Sequence, residues 1–385
     1  MSEWIEAREV CRLLGVKPQT LYAYVSRGRI RSAPDARDPR RALYAAADAA
    51  LLAHKRARGR KAADVAAGAI AWGEPVLVSS ITTVAFGRLY YRGLDAVDLA
   101  ETETFEGVAR LLRGDQASGA PRRLRSPPPS GSNMRARLFA VLADRACVDP
   151  PLARSAEADW GGMAATLLDV VTDAVCGVVE SGAIHERLAR AWGLGSQGQD
   201  LVRRALVLLA DHELNASTFA ARVAASTGAS LSAAVLAGLA VLTGPHHGGA
   251  HQAVTDLAVA ARRLGPGETV TARLAFWRPA PGFGHPLYPD GDPRARALLG
   301  AFSPPQAHRD LNAAMTAAHG GSDSANVDFA LSALAGALDL PPDAPFILFA
   351  VARTAGWIAH AIEQARTGAL IRPRARYEGI SPREV

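Results

Sequence analysis

The chain has 385 residues, 49% hydrophobic and 21% charged, with mean hydropathy near zero. This composition excludes global disorder, and the length suits two or three folding units. The net charge is +6, but residues 1–61 hold 14 Lys or Arg against 6 Asp or Glu, which leaves the rest of the chain slightly acidic.

A basic head on a near-neutral body is the footprint of an appended nucleic-acid binder; charge alone also fits a solvated basic tail. Aromatics are 6% of the chain, so the core must be built from Ala, Leu and Val. No continuously apolar stretch reaches 18 residues, and windows such as Leu201 to Ala210 are broken by Arg203 and Arg204, so no membrane span is expected. The acidic start Met-Ser-Glu-Trp-Ile-Glu does not read as a secretory leader. Three scattered cysteines, Cys11, Cys147 and Cys176, argue for a reducing, cytoplasmic setting.

In chain order, Ala7 to Leu14 predicts a helix with Val10, Leu13 and Leu14 on one face. Gly15 stops it, and Pro18 suits the first turn of a second helix to about Ser26, with Leu21, Val25 and Tyr22 or Tyr24 inward. Helix, glycine turn, helix is a helix-turn-helix pattern. Arg29 to Tyr44 fits a short wing, and Asp48 to Arg60 a third helix. Residues 62–75 form a connection. Arg113 to Asn133, with three consecutive prolines at 127–129, predicts a surface loop. Ala, Leu and Val then recur at helical spacing in runs from Leu138 to Ala146, Met163 to Val179, Leu201 to Asp211 and Ser230 to Leu242. The same holds from Ala250 to Leu264, Ala325 to Leu338 and Phe346 to Thr367. Strand alternation is almost absent, so the predicted class is all-α.

The breaks between these helices hold the chemistry. His212 lies in Ala-Asp-His-Glu-Leu-Asn-Ala-Ser-Thr, His246 and His247 in Gly-Pro-His-His-Gly-Gly-Ala, and His285 in Pro-Gly-Phe-Gly-His-Pro. Glycine permits close backbone approach to a ligand, and a neighbouring helix N-terminus favours an anion. Asp328 starts an apolar helix as either a cap or a base raised toward neutrality by burial. Arg294 and Arg353 are candidate carboxylate clamps, and Arg353, inside an apolar helix, requires a partner. His247 and His251 stand at i and i+4 as zinc ligands would, but with neither an intervening glutamate in that motif nor a Cys pair. No Walker A, G-x-S-x-G or strand-opening G-x-G-x-x-G is present, so no NTPase, serine-hydrolase or Rossmann reading is supported.

Several ordered motifs resemble the citrate synthase family across roughly residues 75–385. They are Gly244-Pro245-His246-His247-Gly248-Gly249-Ala250, Pro281-Gly282-Phe283-Gly284-His285 with Asp292-Pro293-Arg294, and Asn326-Val327-Asp328-Phe329. Gly87 to Gly93, Asp211 to Thr218, Arg353 to His360 and Arg372 to Gly379 support them. The chain departs at His246 (usually Leu), His251 (usually Asn), Leu209 (often His) and Ala330 (often Tyr). The head, from Glu9 through Gly28-Arg29-Ile30 with Tyr44, Asp48 and Leu51, resembles winged-helix heads of the MerR and excisionase type.

The resemblance implies a helix-turn-helix head (1–61), a large domain (75–249 and 341–385) and a mobile small domain (250–340), assembled as a homodimer. It implies condensation of acetyl-CoA with oxaloacetate, with Asp328 as base, His247 donating to the thioester oxygen and His285 polarising the oxaloacetate carbonyl. His212, Arg294, Arg353 and Arg372, the last from a second subunit, would hold the dicarboxylate. No metal or redox cofactor is implied; CoA enters as a thioester substrate. Propionyl-CoA as substrate, giving 2-methylcitrate, and a DNA-binding metabolite sensor are the alternatives. If the head binds DNA, Lys17, Gln19, Thr20 and Ala23 would face bases and Arg27, Arg29 and Arg31 phosphates.

Overall fold

The computed structural model describes residues 4–26, 30–35, 38, 41–49, 52, 77–115, 133–276, 280–318, 324–375, 377 and 379. The chain divides into two units, Met1–Val78 and Ser79–Val385.

In the first unit, β1 (Trp4–Glu6) leads into α1 (Ala7–Leu14), α2 (Pro18–Ser26), β2 (Ser32–Pro34) and β3 (Ala42–Ala45). The strands form an antiparallel sheet in the order β1-β3-β2, with Ile5 opposite Tyr44 and Ala33 opposite Leu43. Gly15 ends α1 because it takes φ 59°, where a Cβ would be strained, and the Val16 amide then reaches back to the Cys11 carbonyl at 3.0 Å. Val10, Leu14, Leu21, Ile30, Tyr44 and Ala49 close a small core. Leu13, expected inward, is 49% exposed; of the two tyrosines offered as alternatives, Tyr24 packs against this core and Tyr22 is 60% exposed. Eight or nine residues give each helix only a narrow buried stripe, and Val10, Leu14 and Leu21 fill it. The stretch read as a wing contains the β2–β3 pair. Most of the expected third helix, residues 53–60, lies outside the described residues, as does the connection at 62–75.

The second unit opens with a three-stranded meander, β4 (Thr82–Ala85), β5 (Arg88–Tyr91) and β6 (Leu94–Asp95). Phe86 and Gly87 both take positive φ, 53° and 70°, which suits the two-residue turn between β4 and β5. Strands of two to four residues are too short for alternation to reveal, and so the sequence pattern missed both sheets. Helices follow: α3 (Ala96–Thr102), α4 (Phe105–Arg113), α5 (Met134–Val148), α6 (Glu157–Cys176), α7 (Ile184–Ala191) and α8 (Ser196–Leu209). Then come α9 (Ala216–Ser226), α10 (Leu231–Leu242), α11 (Ala250–Leu264), α12 (Pro266–Phe276), α13 (Pro293–Gly300), α14 (Gln306–Ala318), α15 (Val327–Ala337) and α16 (Ala344–Thr367). The class is mostly helical. Of the predicted loop at 113–133, residues 116–132 lie outside the described residues.

Helix α16 is the axis of this unit. Every residue from Ala344 to Ile362 is buried, and its apolar stretch, long enough to cross a membrane, is wholly covered by protein. α9 and α10 pack along it, and Gly238 of α10 lets Trp357 approach so closely that a Cβ there would lie 2.7 Å from the indole. Most buried apolar residues from Ile81 to Ile362 join one large core. A second, smaller core gathers Val254, Leu257, Val270, Phe283, Leu311, Met315 and Phe329. α13 and α15 bridge the two, because Ala295, Leu298, Ala330 and Leu331 belong to the large core while Phe329 belongs to the small one.

The contact between α16 and the end of α8 has no room to spare. The Gly356 amide donates to the Ala210 carbonyl at 3.0 Å, and a Cβ on Gly356 would fall 2.3 Å from Asp211 Oδ1. Gly356→Ala should therefore destabilise the second unit by about 1–3 kcal/mol or more, the usual cost of overpacking. A lowered thermal midpoint by circular dichroism checks it.

Candidate functional site

The loop before α11 sets His247. Its amide bonds to the Gly244 carbonyl at 2.9 Å and that of Gly249 to the same oxygen at 3.1 Å. A Cβ on Gly248 would meet Leu242 at 2.6 Å, and one on Gly249 the Thr243 carbonyl at 2.7 Å, so the turn needs both glycines. His247 Nε2 lies 2.8 Å from the Ser217 hydroxyl. Trp357 Nε1 donates to that hydroxyl at 3.1 Å, so the Ser217 proton points either to His247 or to Asn215 Oδ1, 2.7 Å away. Asn215 Oδ1 already accepts the Ser217 and Thr218 amides as the cap of α9, which favours His247 as the recipient. Burial, with Arg353 adding to it, pushes the His247 pKa down to about 4, so the ring is neutral.

His285 and Asp328 are tied together through backbone. Phe283 bridges Ala325, the Gly284 amide bonds to the Ser324 carbonyl at 2.5 Å, and the Asn326 amide to the Gly282 carbonyl at 2.9 Å. Asp292 completes the clamp. It caps α13 through the Arg294 amide, grips the Arg294 guanidinium at 2.9 and 2.7 Å, and accepts the Val327 amide at 3.2 Å. His285 Nδ1 accepts the Leu287 amide at 3.2 Å, which leaves the proton of the neutral ring on Nε2. Burial and then Arg294 push the His285 pKa down to about 4. Asn326, not Asp328, caps α15. Asp328 Oδ1 is buried without a hydrogen-bond partner, and burial raises the pKa of Asp328 to about 6 against the pull of Arg294 and Arg353.

His212 follows α8, whose end is held by the Tyr91 hydroxyl at the Val207 carbonyl (3.0 Å) and the Leu208 carbonyl (3.2 Å). Next to it, Glu213 takes φ 50° and accepts the Val84 amide of β4 at 2.6 Å. His212 Nε2 lies 2.9 Å from the Tyr288 hydroxyl, and its ring meets that of His285 edge-on at 5.0 Å. Burial and then Arg294 hold its pKa well below the usual histidine value. Arg353 is 1% exposed; its Nε donates to the Leu209 carbonyl at 3.0 Å, and its guanidinium lies 4.8 Å from the Phe349 ring centre. Burial lowers its pKa to about 10, with Asp211 acting to keep it charged. Asp211 itself is fully buried and bonds His360 Nε2 at 3.1 Å.

His212, His247, His285, Asp328, Arg294 and Arg353 thus form one electrostatic neighbourhood: His212 feels both arginines and both other histidines, and Asp328 feels both arginines. Sequence reasoning did not assign Ser217, Tyr288 or Asp292, whose partners lie far away in sequence or whose roles are local clamps. Arg372 is exposed beyond α16 and is not brought to this group within one chain. His246 is exposed; His251 donates Nδ1–H to the Gly248 carbonyl at 2.8 Å and packs on Phe346. No cluster of three or more metal-ligating side chains occurs among the described residues. In the first unit Lys17, Gln19 and Thr20 are exposed and Ala23 is half-buried. Arg31 is engaged by Asp48 through Nε (2.9 Å) and Nη2 (3.0 Å), so a phosphate there would have to compete. Arg27 and Arg29 lie outside the described residues.

A family model described as citrate synthase, C-terminal domain, matches residues 162–374. A Mycobacterium tuberculosis protein carrying the provisional name citrate synthase 2 is 32% identical over 333 residues, covering 77% of this chain and 88% of that protein. The 2-methylcitrate synthase of Shewanella oneidensis is 28% identical over 348 residues, covering 80% and 92%. Among solved structures, citrate synthase from Thermotoga maritima aligns with a TM-score of 0.65 at 27% identity, covering 81% of this chain and 96% of that one.

The raised pKa of Asp328 has a consequence for stability. Its carboxyl titrates near 6 when folded and near 3.8 when unconstrained, so the folded chain holds the proton more tightly. That contribution is complete below about pH 4 and is lost as pH rises through about 6. Asp328→Asn removes the buried charge and should stabilise the chain at neutral pH by about 1–3 kcal/mol. The gain should vanish in melts near pH 4.

Proposed function

Because the chain belongs to the citrate synthase family, we propose that it condenses acetyl-CoA with oxaloacetate and hydrolyses the resulting thioester to citrate and free CoA. The observation that carries this reading is the buried, unpartnered Oδ1 of Asp328, raised toward neutrality in the field of Arg294 and of Arg353, a buried guanidinium held by a carbonyl, a ring face and the field of Asp211, with His247 and His285 both neutral in the same neighbourhood.

A thioester methyl is a very weak acid, so its proton leaves only to a positioned base with the enol oxygen stabilised at the same moment. Asp328 takes the proton. With Ser217 donating to Nε2, His247 carries its proton on Nδ1 and gives that hydrogen bond to the thioester oxygen. The enol carbon attacks the ketone carbon of oxaloacetate, and His285 Nε2–H protonates the oxygen as the carbon–carbon bond forms. Arg294, Arg353 and His212 hold the two carboxylates, with the partner subunit's Arg372 joining them in a homodimer. Water then cleaves the thioester. The chemistry calls for no metal or redox cofactor, and CoA enters only as part of the substrate. The small domain, about 250–340, closes over the large one to exclude water until condensation is complete. Free Cys11, Cys147 and Cys176 suit a cytoplasmic setting.

Propionyl-CoA, giving 2-methylcitrate, is the second reading, since relatives of both names align with the chain. One methylene changes discrimination by only about 1–3 kcal/mol. Steady-state release of thiol from each CoA ester with oxaloacetate present decides between them. Asp328→Asn should lower turnover at least about 10²-fold with oxaloacetate binding kept; near-parental turnover overturns the base assignment. Arg353→Ala should raise the KM for oxaloacetate far more than that for the thioester, and an equal rise in both would mean a structural role instead.

We further propose that the first unit is a helix-turn-helix head that binds DNA, with α2 in the major groove. The +8 balance of residues 1–61 and the exposed Lys17, Gln19 and Thr20 support it. Anisotropy titrations on genomic fragments should show affinity falling steeply with salt and lost on deleting residues 1–61. Salt-independent or absent binding would leave the head as a protein-docking module.

A further inference from the structure

Tyr288 lies at the meeting point of three groups already assigned to the dicarboxylate. It is 2% exposed. Its hydroxyl is 2.9 Å from His212 Nε2, its ring meets that of His285 at a tilt with centroids 5.0 Å apart, and the Arg294 guanidinium lies 5.3 Å from its ring centre. Nothing in the reading above gives it a task.

We propose that the Tyr288 hydroxyl is itself a substrate-binding donor, through which His212 acts on the dicarboxylate. This rests on the assignment of oxaloacetate to this site. Burial pushes the Tyr288 pKa up, so the hydroxyl keeps its proton, and a neutral His212 carries one N–H. A hydroxyl both donates and accepts, whereas a carboxylate only accepts. If Tyr288 donated to His212 Nε2, the tyrosine would have no proton for an anion and the pair could offer only the imidazole Nδ1–H. When Nε2–H donates to the Tyr288 oxygen, the tyrosine proton is released toward the anion, and each bond polarises the next. A dianion beside Arg294 and Arg353 selects that second arrangement. The ring contacts with His285 and Arg294 fix where the hydroxyl stands.

Tyr288→Phe deletes the hydroxyl and keeps both ring contacts. Its KM for oxaloacetate should rise about 10-fold or more, with the KM for the CoA thioester within about twofold and the thermal midpoint unchanged. Tyr288→Leu, which also removes the ring, should additionally lower kcat by disturbing His285. In a His212→Gln background the same Phe change should raise the oxaloacetate KM by less than about threefold, because the relay is already broken. An oxaloacetate KM in Tyr288→Phe within twofold of the parent overturns the proposal, as does an equal rise in both KM values. Calorimetric titration of the parent with oxaloacetate separates the two levels. If the parent binds and turns over oxaloacetate while Tyr288→Phe matches it, only the tyrosine assignment falls. If the parent binds no oxaloacetate, the reading of the site falls with it.

Discussion

A guanidinium buried in the middle of an apolar helix is the constraint on which the second unit depends. Arg353 has no carboxylate within ion-pair distance among the described residues; a single backbone carbonyl, an aromatic face and the field of Asp211 hold it. Isolated buried charge is expensive. The end of α8 is therefore arranged around it, with the Leu209 carbonyl turned inward, Asp211 buried next door and Gly356 left bare so that the two segments can touch. Asp211 is kept ionised against burial by His360 and Arg353, and His360 in turn adjoins Arg222, which pairs with Glu363 at 2.7 Å.

Around that cation most polar groups of the site satisfy one another. His247 has Ser217, His212 has Tyr288, and Arg294 has Asp292. What stands out is a positive charge without a carboxylate and, at Asp328, a carboxylate oxygen without a donor. One awaits an anion and the other a proton. A site that is preorganised except at the two points where charge must change hands stabilises a transition state with little rearrangement. The same arrangement stabilises the fold less than a neutral core would.

The helical runs of the second unit and the breaks carrying His212, His247, His285 and Asp328 were legible in sequence, because Ala-Leu-Val periodicity and glycine-flanked histidines are local signals. Arg353 stood out for a similar reason: it is a cation within the apolar run whose nineteen positions from Ala344 to Ile362 are all buried. The clamps were not legible. Ser217 meets His247 across 30 residues, and Tyr288 meets His212 across 76. No periodicity links such positions, and a tyrosine in a loop reads the same whether its hydroxyl meets solvent or an imidazole. Asp292 entered only as part of the motif with Pro293 and Arg294; it caps that helix, and its second oxygen also fastens the start of α15. The exposure of Leu13 was hidden because a helix of two turns offers several equally apolar faces.

The second unit is tied down at its very start. The chain enters the second unit at Ser79, and the next residue is fastened at once: the Ser80 amide and hydroxyl both donate to Glu363, at 2.8 and 3.0 Å, near the end of α16. Only beyond that fastening does β4 reach Glu213, beside His212. Ser80 therefore works like the strain-relief collar on a cable. A displacement of the residues before it meets the long buried helix α16 before it meets β4, the strand bonded to Glu213 beside His212.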